Sequence, residues 1–144
     1  MIDVAAVAAI LYGAGGAPTR VRSMNDLRTA VEAGLPKQAL ARTVAYAVAD
    51  PAEARRVSER IVPPATLRRR GASLSPSESE RVARLARVTA TAEQLLRGGD
   101  EARDFLATPH PLLGGERPLD AAQSEIGARQ VEEVLWRMAY GIPV

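Results

Sequence analysis

The chain has 144 residues, 47% of them apolar and 3% aromatic, with one histidine and no cysteine. That length suits one domain or two small lobes; the missing cysteine excludes disulfides and thiolate zinc sites, and a single histidine leaves any metal site to carboxylates. The net charge of +2 hides an asymmetry, since residues 1–72 carry eleven Lys/Arg against six Asp/Glu and residues 73–144 carry eight against eleven.

Taken in order, MIDVAAVAAIL has Val4, Val7 and Leu11 at helical spacing, which predicts a short packing helix. No basic residue precedes this run and it is too short to span a bilayer, so neither an export signal nor a membrane helix is expected, and the expected compartment is the cytoplasm. The helix is apolar on nearly every side, which suggests burial between subunits. YGAGGAP, residues 12–18, reads as a connector, because GxGxxG is incomplete and no GK[ST] follows.

Ser23 is placed to cap a helix from Met24, with Asp26 near its positive end and Gly34 closing it. Pro36 should open a second helix at its first turn, with Leu40, Val44 and Ala47 on one face. Asp50-Pro51 predicts another N-cap and a helix through about Arg60, followed by a break at Pro63-Pro64 and two turns over ATLRRRGA. Ser75-Pro76-Ser77-Glu78 combines a capping box with proline at the first helical position. The helix it starts should reach Arg97, bury Val82, Leu85, Thr89, Ala92 and Leu96, and stop at Gly98-Gly99. Asp100 should cap a shorter helix carrying Phe105 and Leu106. Ser124 should cap the last one, with Val131, Val134, Leu135 and Met138 as its apolar face and Gly141 as its stop. No segment alternates with period two, so the expected fold is all-α.

Between the last two helices lies TPHPLLGGERPLD, residues 108–120, with three prolines and two glycines. Leu112, Leu113 and Leu119 offer apolar anchors, so an ordered loop that fixes the angle of the terminal helix is expected.

Residues 51–71 have the plan of a helix-turn-helix, whose second helix can enter the DNA major groove while basic groups hold phosphates. Six arginines and one acid, Glu59, lie between Arg55 and Arg70. Pro64, Ala65, Thr66, Arg68 and Arg69 would be nearest the groove, with Arg70 or Arg55 near phosphate. An ordinary helical hairpin with a solvated basic face is the alternative. The turn, Ile61-Val62-Pro63-Pro64, lacks the glycine that such turns commonly use. Catalysis finds no constellation: His110 sits between prolines, and Glu132 and Glu133 are adjacent on a helix and diverge. Trp136 and Tyr140, four apart, share a face and fit either a partner surface or a core. Ile142-Pro143-Val144 follows as a short apolar tail.

The order of these pieces resembles the Xre/MbcA/ParS family of bacterial antitoxins. SLSPSESERVARLARV, FLATPHPLLGGERPLD and SEIGARQVEEVLWRMAYGIPV carry the resemblance over residues 73–144, with GLPKQAL and TLRRR as weaker matches in front. The resemblance implies residues 1–72 as an N-terminal oligomerisation and helix-turn-helix region, and residues 73–144 as a small helical toxin-binding domain. It implies a cognate RES-domain toxin, acting on NAD or transferring ADP-ribose, as the partner of Trp136, Tyr140, Gly141, Ile142, Pro143 and Val144. Operator DNA bound by a homodimer or higher assembly is the second implied partner; no cofactor, metal or catalytic role is implied. A stand-alone repressor whose back half only oligomerises is the competing reading.

Overall fold

The computed structural model of the protein describes residues 2–13 and 21–141; the connector residues 14–20 and the tail Ile142–Val144 lie outside them. Among the described residues the secondary structure is helical, with one isolated bridge between Pro36 and Ser73. The helices are α1 (Val4–Tyr12), α2 (Met24–Ala33), α3 (Gln38–Ala47), α4 (Pro51–Ile61), α5 (Pro64–Arg69), α6 (Pro76–Leu96), α7 (Gly99–Ala107), α8 (Pro118–Ala121) and α9 (Glu125–Ala139).

Side-chain caps set most helix starts. Ser23, Asp50, Ser75 and Ser124 each accept a hydrogen bond from the backbone N–H three residues on, satisfying a donor that the first turn leaves unpaired. Asp3 does the same for α1. At Ser75 the box is reciprocal, since the Glu78 carboxylate accepts from the Ser75 N–H at 2.8 Å.

Two helix boundaries and one turn differ from the sequence expectation. Pro36 stands outside α3, because its neighbours pair with the segment before α6: the Lys37 N–H donates to Ala72 and the Leu74 N–H to Leu35. The end of α6 is made by Arg97 in the left-handed region (φ 60°), so Gly98 is free to act as the extended N-cap of α7, with Asp100 inside its first turn. In the glycine-free turn after α4, Val62 is extended (φ −137°) and Pro63 has φ −57°. This turn needs no positive φ, so the missing glycine leaves no strain.

Helix α6 is the centre of the molecule, and α1, α2, α3, α4, α7 and α9 all pack on it. It is surrounded rather than lying on one side of a core, so Ser79, Ala86, Val88 and Ala90 are buried besides Val82, Leu85, Thr89 and Ala92. The Leu35 N–H donates to the buried Ser79 hydroxyl at 2.8 Å, which anchors the α2–α3 corner on α6. Helix α1 packs Val7, Ala8, Ile10 and Leu11 against α3 and α6 of its own chain. Its apolar character is therefore used within the subunit, with Ala5 and Ala9 left on the outside.

Candidate functional site

The helix-turn-helix face is built by α4, the Val62–Pro63 turn and α5. Val57, Ile61 and Val62 are buried and fix α4, whereas α5 has no fully buried residue. Helix α5 is held by polar ties at its C-terminal end. Arg70 makes a two-pronged pair with Glu78 (2.9 and 2.8 Å), and Lys37 Nζ reaches the Arg70 carbonyl at 3.5 Å. Glu78 is only 4% exposed, and the Arg70 guanidinium holds its carboxyl well below the usual range, at about 2. Arg70 was expected near phosphate; its charge is instead committed to a buried acid. Arg55, Arg68 and Arg69 are exposed, and Thr66 is half-buried with its hydroxyl accepting from Arg69 at 3.3 Å. Arg55 and Arg68 make no ion pair among the described residues.

The second face is the end of α9. Trp136 and Tyr140 are 40% and 63% exposed, and their rings stack with centroids 5.0 Å apart and planes 11° from parallel. They are not core residues: Val131, Val134 and Leu135 fill the buried side of α9. Met138, expected on that side, is 42% exposed, because no described element covers the last turn of the helix. Leu112 is also exposed and lines a small cleft with Gln130, Glu133, Val134 and Arg137. The end of α9 is thus ringed by uncovered apolar surface, which marks interaction sites on protein surfaces. Tyr140 leads into Gly141 at φ 68°, where the described chain ends.

The loop between α7 and α8 is ordered and closed on itself. The His110 N–H donates to Glu116 and the Gly115 N–H to His110, around a 3₁₀ turn at Pro111–Leu113. Gly114 and Gly115 both have positive φ (64° and 82°), which the tight closure requires. His110 has a structural role, since its Nδ1 accepts from the Leu112 N–H at 3.1 Å and caps that turn. Leu113 and Leu119 are the buried anchors, whereas Leu112 is not one.

Charge then ties this loop to the other face. Arg117 pairs with Asp120 and with Glu53 of α4, both at 2.7 Å, and Arg60 of α4 pairs with Asp120 at 2.9 Å. Arg117 lowers the carboxyl pKa of both Glu53 and Asp120. Helix α9 is seated similarly. Arg87 pairs with Glu125 (3.1 Å) and Glu132 (3.2 Å), and Arg84 donates to the Gln123 carbonyl at 2.7 Å. Glu132 therefore faces inward, and Glu133 pairs with Arg137 on the surface. At Gly127 a Cβ would lie 1.7 Å from the Ala121 carbonyl oxygen, so only glycine lets α9 approach α8 this closely.

These features define an all-α protein with a helix-turn-helix in front and a small helical domain behind, joined through one continuous helix. Residues 26–87 match the antitoxin Xre-like helix-turn-helix domain, and residues 91–141 match the antitoxin Xre/MbcA/ParS C-terminal toxin-binding domain. The two matches follow one another in that order along the chain. It is 36% identical over 70 residues to the Antitoxin Xre of Yersinia enterocolitica, a match covering 47% of each chain. It is 29% identical over 119 residues to the Antitoxin Xre of Pseudomonas putida, covering 81% of this chain and 72% of that one. The match thus spans about half the length of the Yersinia relative. The two domain matches meet within α6, between residues 87 and 91. No helix among the described residues is long and apolar enough to cross a membrane.

The sequence pointed to Trp136 and Tyr140 through their spacing, and to the arginine run through composition. It held no sign of the Arg70–Glu78 lock or of the ties from Glu53 and Arg60 to Arg117 and Asp120. Those partners lie 8 to 64 residues apart along the chain, and the pairs separated by 60 and 64 residues meet only when the fold brings both halves together.

Proposed function

We propose that the protein is a non-enzymatic antitoxin that neutralises a cognate RES-domain toxin, an NAD-degrading or ADP-ribosylating enzyme. The last turn of α9 and the tail Tyr140–Val144 cover the toxin's active-site cleft. The observation that carries this reading is the stacked, exposed Trp136–Tyr140 pair at the end of the segment matching a toxin-binding domain. Aromatic anchors of this kind dominate binding energy when a partner buries them. The antitoxin also binds operator DNA of its own operon as a homodimer or larger assembly, through Arg55, Thr66, Arg68 and Arg69.

Co-expression with a cognate RES-type toxin tests the first part. Trp136→Ala with Tyr140→Ala should weaken toxin binding roughly 30-fold or more, the cost of losing about 2 kcal/mol of anchor contacts, with the circular dichroism spectrum unchanged. Full neutralisation by that double variant, or by a chain lacking Tyr140–Val144, would sink the assignment. A stand-alone repressor whose back half only oligomerises predicts operator binding with no toxin captured at all.

A further inference from the structure

We propose that the apolar tip of the helix-turn-helix, Pro64 and Ala65, reads the 5-methyl groups of thymine in the major groove. The inference rests on the DNA-binding reading above and concerns which bases the contact prefers.

It follows from what the tip can and cannot offer. In a helix-turn-helix the early side chains of the second helix meet the base edges. Here Pro63, Pro64 and Ala65 are exposed at the start of α5 and carry only hydrocarbon side chains. Proline also lacks an N–H, so the backbone at residues 63 and 64 adds no donor. Behind the tip, the Thr66 hydroxyl accepts from Arg69 and keeps its O–H as a donor, and Arg70 is engaged by Glu78. Residues 51–71 contain no asparagine or glutamine, the side chains suited to adenine's N6 and N7. The thymine methyl is the apolar group that a base pair presents in the major groove, and small apolar side chains are its usual partners. Arg55 on α4 and Arg68 on α5, exposed and without ion-pair partners among the described residues, supply positive charge that would hold phosphates.

The test uses the full-length protein and a duplex from the region upstream of its own gene that the protein protects in a footprint. Each thymine is replaced in turn by deoxyuridine, which removes the methyl and leaves every hydrogen-bonding group in place. Anisotropy titrations should show a loss of roughly three- to fivefold at the positions facing the tip, as one buried methyl implies. The Ala65→Gly variant should bring the thymine-to-deoxyuridine ratio at its position close to one. Arg68→Ala should weaken binding to both duplexes and keep the ratio. Equal affinity for thymine and deoxyuridine duplexes at every position overturns the inference and leaves DNA binding standing. A ratio that persists in both Ala65→Gly and Pro64→Gly also overturns it, since the methyl is then read elsewhere. No binding to any duplex at low salt overturns the DNA reading together with this one.

Discussion

Arginine is only slightly more common before α6 than from α6 onward, ten residues against eight, yet the two regions use it differently. In the front region Arg56, Arg60 and Arg70 pair with acids, whereas Arg42, Arg55 and Arg68 are exposed without an ion pair among the described residues and Arg69 meets the Thr66 hydroxyl. From α6 onward Arg97 is exposed, and the other seven, Arg81, Arg84, Arg87, Arg103, Arg117, Arg129 and Arg137, each bind a carboxylate or a backbone carbonyl. The back region also leaves large apolar side chains uncovered, Trp136, Tyr140, Met138, Leu112 and Ile126, against Met24 and Tyr46 in front. An arginine count therefore says little about a polyanion partner. The informative quantity is how many guanidinium groups the fold leaves without an acid.

The largest expected effect comes from attacking the back half where it is tightest. Gly127→Ala places a methyl against the Ala121 backbone, which cannot yield as a side chain can, and should destabilise by about 3 kcal/mol in denaturant titrations. A cost near zero would mean that α8 and α9 are free to separate. Next comes the front half's lock. Glu78→Gln removes the charged partner of Arg70 and weakens the capping box, at a cost of about 2 kcal/mol.

The pH dependence of that lock has a definite sign. The folded carboxyl titrates near 2, below the ordinary value of 4.5, so its contribution is complete above 4.5 and fades as pH falls toward 2. Acid unfolding of Glu78→Gln should therefore be shallower than that of the parent across that window, and identical slopes would discount the lock.

Arg117→Ala removes one of the two ties between α8 and α4, leaving Arg60–Asp120, and should cost about 1 kcal/mol, less in high salt, because the pairs are partly exposed. The smallest change in stability, within about 0.5 kcal/mol, is expected for Arg68→Ala with Arg69→Ala. That variant should nonetheless lower operator affinity and flatten its salt dependence by about two units of slope. Unchanged affinity and slope would place the DNA contact elsewhere and erase the contrast between the halves.

Local signals were legible in the sequence and long-range ones were not. Ser23, Asp50, Ser75 and Ser124 act through neighbours three residues away, so the type of residue and its spacing were enough to place them. Pro36, Met138 and Leu112 were misjudged for one shared reason: their surroundings depend on distant chain. Pro36 is drawn out of α3 by the segment before α6, and Met138 and Leu112 stay exposed because no described element arrives to cover them. His110 looked idle because its partner, the Leu112 N–H, is in place only once the 3₁₀ turn has formed.

Helix α6 begins inside one domain match and ends inside the other, with its 21 residues forming a rod of about 30 Å. A protease searching for a hinge between the two matched regions meets helical backbone whose hydrogen bonds are made and whose Val88 and Ala90 are buried. Degradation that begins at this junction has to unwind the element on which both halves rest. Loss of the partner-facing half and loss of the helix-turn-helix then become one event, so a cell that clears this chain from its middle gives up both surfaces at once.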